Sequence, residues 1–143
     1  MPANNSGARF RVTLGDDDDA DVIQDGIDTY SETCEPDRES VGFDKKLVDK
    51  DGGFAAGVIA DVDRGAYGFV DAVFVEEPLR RHGLGTYLLM EVEKPARENG
   101  ASVILTNAGD WNVDFFRKNG YLLRGEPKDV SGGHNCYGLY KMI

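Results

Sequence analysis

A short basic segment with two glycines, residues 80–86 (RRHGLGT), carries the residue types that bind a phosphate. Gly83 and Gly85 allow the backbone to approach an anion closely, and Arg80 and Arg81 add positive charge. A helix that follows such a loop presents unpaired N–H groups and the positive end of its dipole to the anion. The alternative is an ordinary strand-to-helix turn whose glycines serve tight packing, and the spacing alone does not separate the two.

Two common phosphate-binding motifs are excluded. No Gly-Lys-Ser/Thr ending follows the glycines, as a Walker loop requires. The third glycine of a dinucleotide fingerprint is also missing, because Tyr87 and Leu88 occupy its place. What remains is the pattern Arg-x-x-Gly-x-Gly, which follows an apolar segment that ends at Val75.

A strand and a helix are predicted on the two sides of this loop. Residues 70–75 (VDAVFV) have the β-branched and aromatic content of a strand. Apolar residues recur at helical spacing from position 84 to position 92. Pro95 removes one backbone hydrogen bond of this helix, so we expect a kink or an end of its regular part near residues 91–94.

The pattern Arg-x-x-Gly-x-Gly after a strand resembles the acetyl-CoA pyrophosphate loop of the GCN5-related N-acetyltransferase (GNAT) superfamily. Residues 115–121 (FFRKNGY) resemble the family's Phe-Tyr-x-Lys-x-Gly-Phe/Tyr segment. Residues 133–141 (GHNCYGLYK) resemble a Gly-His-x-x-Tyr-x-Leu-x-Lys ending found in one branch of small members. The three motifs occur in the family's order, and the resemblance covers residues 66–143 well and the first half by element order only.

The resemblance implies an α/β (α+β) GNAT fold, a mixed sheet of about seven strands with a splayed parallel pair, flanked by about four helices. Strands 66–75 and 103–107 are expected to lie parallel, joined by a right-handed helical crossover. Asp51-Gly52-Gly53 predicts a hairpin turn, and Asp63-Arg64-Gly65 a second one. The remaining expected strands are 9–14, 45–48, 54–62, 121–124 and 136–142, and the expected helices are 19–34, 84 to Gly100, and 111–119.

Length and composition indicate one domain without membrane segments. Residues 1–8 are expected to be a disordered N-terminus and residues 9–143 a single GNAT domain. No apolar run reaches the roughly 18 residues that span a membrane, and the polar N-terminus does not resemble a signal peptide. Cys34 and Cys136 lack C-x-x-C or metal spacing, which favours reduced thiols in a cytoplasmic protein without a metal.

The net charge of −10 excludes nucleic acid as an expected partner, because phosphates would be repelled. Two explanations of the charge stay open. It could attract polycationic amine substrates, or it could hydrate a surface suited to a salt-rich, halophile-like cytoplasm. The scattered distribution of the aspartates favours the second explanation.

The resemblance assigns the cofactor site. The backbone of Phe74 and Val75 would bind the pantetheine chain of acetyl-CoA, and the amides of residues 81–86 its pyrophosphate. A carboxylate introduced at Gly85 is expected to block this site and to leave the fold largely intact. The complete set assigned to cofactor binding is Phe74, Val75, Arg80, Arg81, His82, Gly83, Leu84, Gly85, Thr86, Asn107 and Phe116.

Transfer of an acetyl group to an amine needs a base or water path, donors for the oxyanion and a proton for the leaving thiolate. Asp71 interrupts an apolar strand and is expected on the same face as Val75, where partial burial would raise its pKa and suit a base or an amine anchor. The alternative for Asp71 is a strand acid bonded to nearby backbone. His134 and Tyr137, in the last hairpin, are further catalytic candidates, with a simple turn role as the alternative for His134.

One departure from the family concerns Phe116, which occupies the position of the tyrosine that protonates the thiolate in many members. The function that we infer is N-acetyl transfer from acetyl-CoA to a primary amine of a small molecule or peptide, by direct attack in a ternary complex. A non-catalytic acyl-CoA-binding sensor or interaction module is the main alternative. A third possibility is a nucleotide-phosphate-binding regulatory domain, which only the glycine loop supports. The acceptor and the oligomeric state, a homodimer included, are left open.

Overall fold

The computed structural model describes residues 9–34, 40–63, 67–126 and 128–143. The chain divides into two compact units, Met1–Asp37 and Arg38–Ile143, and each is described by itself. The expected disordered segment 1–8 and most of the expected turn at 63–65 lie outside the described residues. The extent of one domain over residues 9–143 stays a prediction.

The first unit contains one helix, α1 (Asp17–Cys34), among its described residues. Asp16 and Asp19 begin it: the Asp19 N–H donates to Asp16 Oδ1 over 2.9 Å, and the Asp16 N–H donates to Asp19 Oδ2 over 3.0 Å. This reciprocal arrangement satisfies two backbone donors that a helix start leaves unpaired. The predicted helix 19–34 is therefore confirmed, and it begins two residues earlier than expected.

The predicted strand 9–14 is wrong. Residues 9–16 form neither strand nor helix, and Phe10, Val12 and Leu14 are exposed. Alternation of polar and apolar residues predicts which face a strand would present, but a strand is stable only when another strand pairs with its backbone. The described part of this unit offers no strand to pair with.

The second unit is built on a mixed sheet, which has eight strands in the part of the chain that is described. The strands are β1 (Ser40–Gly42), β2 (Lys45–Val48), β3 (Phe54–Asp63), β4 (Gly68–Val75), β5 (Val103–Gly109), β6 (Leu122–Leu123), β7 (Lys128–Ser131) and β8 (His134–Met142). Their order is β1-β3-β4-β5-β8-β6, with β2 also paired to β3 and β7 to β8. The helices of this unit are α2 (Leu84–Glu98) and α3 (Val113–Lys118), so the described residues form three α-helices and not four.

The predicted pairings of the sheet are confirmed. β2, β3 and β4 form an antiparallel meander, and β4 pairs with β5 in parallel after the crossover through α2. Strands β1 and β7 were not predicted. The β7–β8 turn places two successive glycines, Gly132 and Gly133, at positive φ angles of 53° and 88°, which suits a tight hairpin.

Helix α2 packs one apolar side on the sheet. Leu88, Leu89, Val92 and Ala96 are buried against β3 and β4, and each fully buried leucine contributes about 1.5–3 kcal/mol. The helix continues through Pro95 to Glu98, so its regular part does not end near residues 91–94; the alternative expectation, a kink there, stays a prediction. Pro95 lies in the last turn, where the fixed φ of proline is compatible with a helix and where a single hydrogen bond is lost.

The core of this unit lies on one face of the sheet. Residues of β3, β4, β5 and β8 alternate between buried and exposed positions, and their buried side chains meet α2 and α3. The opposite face exposes Phe54, Ile59 and Phe74 to about half. The sheet therefore positions two features at one end, namely the loop before α2 and the ends of β4 and β5.

Candidate active site

The loop before α2 leaves the first turn of the helix without a side-chain cap. Gly83 is the N-cap residue, in the left-handed conformation with φ 81° and ψ 9°, and no side chain of the described residues caps the helix. The N–H groups of Leu84, Gly85 and Thr86 therefore belong to the set that has no partner within the helix. In a helix of 15 residues these amides also lie at the positive end of the dipole, so this turn suits an anion.

Side chains of the loop hold its shape. Arg80 Nε donates a hydrogen bond of 2.9 Å to the Val75 carbonyl, and its guanidinium lies 5.7 Å from the centre of the Phe74 ring. His82 Nδ1 lies 3.1 Å from the Leu79 carbonyl, so Nδ1 carries the hydrogen that it donates. Arg81 has a φ of 67°, which is costly for a residue with a Cβ. The contacts of Arg80 and His82 order the loop, and their roles in cofactor binding stay predictions.

Gly85 is buried where three elements meet. A Cβ at this position would lie 2.8 Å and 2.9 Å from two ring atoms of Phe115, and 3.8 Å from Cγ2 of Val75. The ring of Phe115, on α3, therefore packs directly on the start of α2, beside the last residue of β4. Glycine is therefore required here for packing.

The parallel strands β4 and β5 separate after a short paired section. Their pairing ends with Val70 opposite Thr106. Val70 faces Ala60 of β3, whereas Ala72 faces Ile59, so Asp71 is the extra residue of a β-bulge. A bulge bends its strand. The buried hydroxyl of Thr106 donates a 2.9 Å hydrogen bond to the Val70 carbonyl and fixes the last pair, so the opening between the strands begins immediately beyond it.

The bulge corrects two expectations about Asp71. Asp71 and Ala72 are both exposed and Val75 is half-buried, so the simple alternation that would place Asp71 on the face of Val75 is broken. The carboxylate is also exposed, and not partly buried as expected. Asp71 does lie at the beginning of the opening, and its role as an amine anchor stays a prediction.

A carboxylate that the sequence analysis did not select, Asp110, lies at the end of β5. The Tyr137 hydroxyl donates to its Oδ1 over 2.8 Å, and the Asn135 backbone N–H donates to its Oδ2 over 3.1 Å. Asn135 Nδ2 lies 3.4 Å from Oδ1. Asp110 and Tyr137 are 27 residues apart, so no local spacing could reveal the pair; the only signal is an acidic residue at the end of a predicted strand.

The hydrogen bonds shift the pKa values of both partners. The Asn135 backbone amide, and then the Tyr137 hydroxyl, hold the pKa of Asp110 below its ordinary value. Donation to the Asp110 carboxylate is the main cause that raises the pKa of Tyr137. Tyr137 is therefore protonated at neutral pH with its hydrogen directed to Asp110. His134 is exposed at the start of β8, and its charge also lowers the pKa of Asp110.

We expect Tyr137 to ionise above its ordinary value of 10.0, and Asp110→Asn to move its pKa back towards that value. Because the folded pKa is raised, the stabilisation from this bond is present below pH ~10 and is lost as the pH rises through the folded pKa. The measurement is an NMR titration of tyrosine Cζ resonances, with Tyr137→Phe to assign the signal. An unchanged Tyr137 titration in Asp110→Asn would show that the hydrogen bond is absent in solution.

Phe116 lies in the core, which contradicts its expected contact with the cofactor. Its side chain is 3% exposed, and its ring meets those of Phe115 and Tyr121 edge-to-face at 5.2 Å and 5.5 Å. Neighbouring residues of a helix point about 100° apart, so a motif match does not decide which of two adjacent phenylalanines faces the core. Phe115, half-buried against Gly85, is the ring that lies near the loop.

The remaining assigned residues lie along the loop and the two separating strands. Asn107 follows Thr106 on β5 and is exposed, as is Phe74 on β4, and Val75 is half-buried. Thr86 is exposed in the first turn of α2. The structure thus brings the loop and both strands to one end of the sheet, and cofactor binding by these residues stays a prediction.

No group of three or more His, Cys, Asp or Glu side chains within residues 9–34, 40–63, 67–126 and 128–143 is arranged to hold a metal ion. None of the helices in the described part of the chain is both long and apolar enough to cross a membrane.

Residues 16–121 match the sequence profile of the acetyltransferase (GNAT) family. The match covers most of the chain, including the loop before α2 and the opening between β4 and β5. The chain therefore belongs to the GNAT family. GNAT acetyltransferases use acetyl-CoA as their cosubstrate. The expected branch with a Gly-His-x-x-Tyr-x-Leu-x-Lys ending stays a prediction.

Two curated proteins are similar to part of this chain. The tRNA(Met) cytidine acetyltransferase TmcA of Aeropyrum pernix is 45% identical over 67 residues, which are 46% of this chain and 9% of that protein. The uncharacterized N-acetyltransferase YjcF of Bacillus subtilis is 31% identical over 67 residues, which are 47% of this chain and 48% of YjcF. The chain thus matches less than half the length of either relative.

Solved structures share the fold. An acetyltransferase from Bacillus cereus superposes with a TM-score of 0.84 at 22% identity, covering 95% of this chain and 99% of that one. A Bacillus anthracis protein described as a streptothricin acetyltransferase, solved with acetyl coenzyme A, has a TM-score of 0.63 at 14% identity, covering 71% of this chain and 62% of that one. At these identities the similarity shows the fold only.

Proposed function

We propose that this protein is an N-acetyltransferase that transfers an acetyl group from acetyl-CoA to a primary amine of a small molecule or peptide, by direct attack in a ternary complex. One observation carries the proposal: the opening between β4 and β5 begins at the Val70–Thr106 pair and lies at the same end of the sheet as the uncapped first turn of α2. A phosphate group would bind at the first turn of α2, and an extended thioester arm would lie in the adjacent opening between β4 and β5.

The residues present suit acetyl-CoA. The first-turn amides of α2 and the charge of Arg81 would bind the pyrophosphate. Beyond the bulge, no strand among the described residues pairs with β4 on its β5 side, so the backbone of Phe74 and Val75 can pair with the amide groups of the pantetheine arm. In the opening, the arm would pair with the edge of β4 in the way that an additional strand would.

The reaction requires one bond to form and one to break. The neutral amine nitrogen attacks the thioester carbonyl, the C–N bond forms, the C–S bond breaks, and the amine proton leaves while the thiolate gains a proton. Phe116 has no acidic hydrogen, and the Tyr137 hydrogen is directed to Asp110, so neither supplies the thiolate proton. We propose water as that proton source, with Asp71 and His134 as candidates to assist removal of the amine proton.

We further propose a small acceptor and not a nucleic acid. The name of TmcA places its own activity on tRNA, but the net charge of −10 on this chain would repel such a substrate. A cytoplasmic location is supported by two free, exposed thiols, Cys34 and Cys136.

The test is release of free CoA from acetyl-CoA across a panel of amines, at low and at molar salt, with calorimetric titration of CoA in parallel. We expect amine-dependent CoA release and formation of the N-acetyl product by mass spectrometry. Tight CoA binding without turnover of any amine would support the non-catalytic binding module in its place. Failure to bind CoA would contradict both.

A further inference from the structure

The carbonyl of Val75, the last residue of β4, is directed into the opening between β4 and β5. The Glu76 N–H donates to the Ala55 carbonyl over 2.9 Å, so these two residues form a hydrogen-bonded pair that continues the antiparallel β3–β4 ladder. Hydrogen-bonded and non-hydrogen-bonded pairs alternate in such a ladder, so Val75, opposite Ala56, directs its N–H and C=O away from β3. That side of β4 is the one that the pantetheine arm would use.

The side chain of Arg80 already occupies this carbonyl. Arg80 Nε donates to the Val75 oxygen over 2.9 Å, and the guanidinium lies 5.7 Å from the centre of the Phe74 ring, which also belongs to the part of β4 beyond the bulge. The guanidinium therefore lies where the arm of the cofactor would pair with Val75. Arg80 is exposed, so packing does not prevent its side chain from leaving this position.

A pyrophosphate would offer the same guanidinium a stronger partner. Arg80 lies three residues before Gly83, the N-cap of α2, so its side chain belongs to the same loop as the proposed phosphate site. An arginine can bind a phosphate through two parallel N–H bonds between opposite charges, whereas the Val75 carbonyl carries no charge and takes one bond, from Nε. When both partners are present, the phosphate is therefore favoured.

We propose that Arg80 determines the specificity for the acetyl donor, by making binding of the pantetheine arm depend on the pyrophosphate. Without a pyrophosphate the guanidinium stays on the Val75 carbonyl and obstructs the arm. When a pyrophosphate binds at the first turn of α2, the guanidinium moves to it and leaves the carbonyl free for an amide N–H of the arm. The protein therefore uses CoA thioesters and discriminates against thioesters of pantetheine itself. This inference rests on the proposed transferase function and adds the specificity for its donor.

The test compares four proteins: the wild type, Arg80→Met, Arg80→Lys and the matched control Arg81→Gln, which removes the same charge from the adjacent residue. Methionine keeps an unbranched side chain and has neither a charge nor a donor. The probes are CoA, which has the pyrophosphate, and pantetheine, which lacks it. Calorimetry measures CoA binding and NMR titration measures the weaker binding of pantetheine, while circular dichroism and melting confirm the fold of each variant.

Arg80→Met is expected to change the two affinities in opposite directions. It binds pantetheine about fivefold more tightly than the wild type, because the Val75 carbonyl is free, and CoA about tenfold more weakly, because a charge-assisted bond to phosphate is lost. Arg80→Lys keeps the charge and recovers part of the CoA affinity. Arg81→Gln weakens CoA binding and leaves pantetheine binding unchanged. A role of Arg80 limited to ordering the loop would instead weaken the binding of both ligands.

The contact itself has a direct readout in the free protein. NMR of the arginine Nε–H groups, with Arg80→Lys to assign the signal, reports whether Arg80 is bonded to Val75. We expect this hydrogen to exchange slowly with solvent in the free protein, and its signal to stay in place when pantetheine is added to the wild type. Inorganic pyrophosphate or CoA is expected to shift the signal, because the guanidinium then leaves the carbonyl.

Three results would overturn the inference. They are no gain of pantetheine affinity in Arg80→Met, a loss of affinity for both ligands in that variant, and an Arg80 Nε–H signal that CoA leaves unchanged, as when the arm and Arg80 share the carbonyl. Failure of the transferase function alone gives a different result, because the two affinities would still change in opposite directions although no amine is acetylated. The binding measurements therefore decide the inference even without turnover. A wild type that does not bind CoA would contradict both proposals.

Discussion

Gly85→Asp is expected to weaken CoA binding by more than about a hundredfold, because it adds a negative charge to the first turn of α2, whose amides would bind the pyrophosphate. The added charge would repel the pyrophosphate and weaken its charge-assisted hydrogen bonds to these amides. Calorimetric titration with CoA measures the effect. Unchanged CoA affinity in a folded Gly85→Asp protein would show that this loop is not the phosphate site.

The same substitution is also expected to destabilise the protein, while the fold stays largely intact. Any Cβ at position 85 would lie 2.8 Å from the Phe115 ring, and overpacking of this kind typically costs about 1–3 kcal/mol. Gly85→Ala is the matched control, because it adds the Cβ without the charge. Its urea unfolding measures the steric cost, and its CoA titration shows how much affinity packing alone removes.

A second control replaces the ring of Phe115, which the new Cβ would contact. In the double variant Gly85→Ala with Phe115→Leu, the flexible side chain leaves room for the Cβ, so the two costs should be less than additive. The charge effect is then the difference in CoA affinity between Gly85→Asp and Gly85→Ala. If Gly85→Ala is as stable as the wild type, the close contact between α2 and α3 does not exist in solution.

Glu93→Met is expected to lower the free energy of unfolding by about 2–3 kcal/mol, because it leaves a partly buried lysine without its partner. Lys141 Nζ lies 2.6 Å from Glu93 Oε1, and Arg97 lies 3.7 Å from Oε2. The Glu93 side chain is 9% exposed and that of Lys141 is 27% exposed, so the charge that remains is incompletely solvated. Urea denaturation measures the change.

The bond joins helix α2 to strand β8. Glu93 lies on α2, whose first turn is proposed to bind the pyrophosphate, and Lys141 lies on β8, which carries Tyr137. Beside the pair, the buried Tyr121 hydroxyl has no hydrogen-bond partner among the described residues, and burial, with the charge of Glu93, raises the pKa of Tyr121. Loosening of this contact should therefore weaken CoA binding as well as stability.

A more exposed ion pair of helix α2 provides the control for Glu93→Met. Glu91 pairs with Lys45 over 3.4 Å, but the two side chains are 42% and 38% exposed, so Glu91→Met should cost less than about 1 kcal/mol. The double variant Glu93→Met with Lys141→Met should recover most of the loss, since it leaves neither charge buried. Equal costs for Glu93→Met and Glu91→Met would contradict a special role of the buried pair.

Local patterns in the sequence determined the loop before α2, the meander and the parallel crossover. Gly83 takes a positive φ, and the apolar spacing after it forms α2, because both properties depend on residues within a few positions of one another. The hairpin at Gly52 follows for the same reason. The family of the protein could also be inferred from these segments, since its motifs are short and contiguous.

Tertiary structure decided which side chains face the site. Phe115 and Phe116 are adjacent and chemically identical, and the choice between the core and the loop depends on how α3 docks. The bulge at Asp71 depends on the register with β3, and it reverses the exposure that simple alternation predicts. Residues 9–14 are a further case in which a local pattern is insufficient. Their polar and apolar residues alternate as in a strand, but no β-structure forms without a second strand to pair with.

Asp110 shows most directly what the sequence alone could not supply. Its partner Tyr137 lies 27 positions away, and the two meet only because β5 and β8 pair in one register, with Ala108 opposite Tyr137. A shift of that register by one residue would turn Tyr137 to the other face of the sheet and remove the bond. The sequence shows that a carboxylate and a phenol are present. Only the long-range pairing of β5 with β8 brings them within hydrogen-bonding distance.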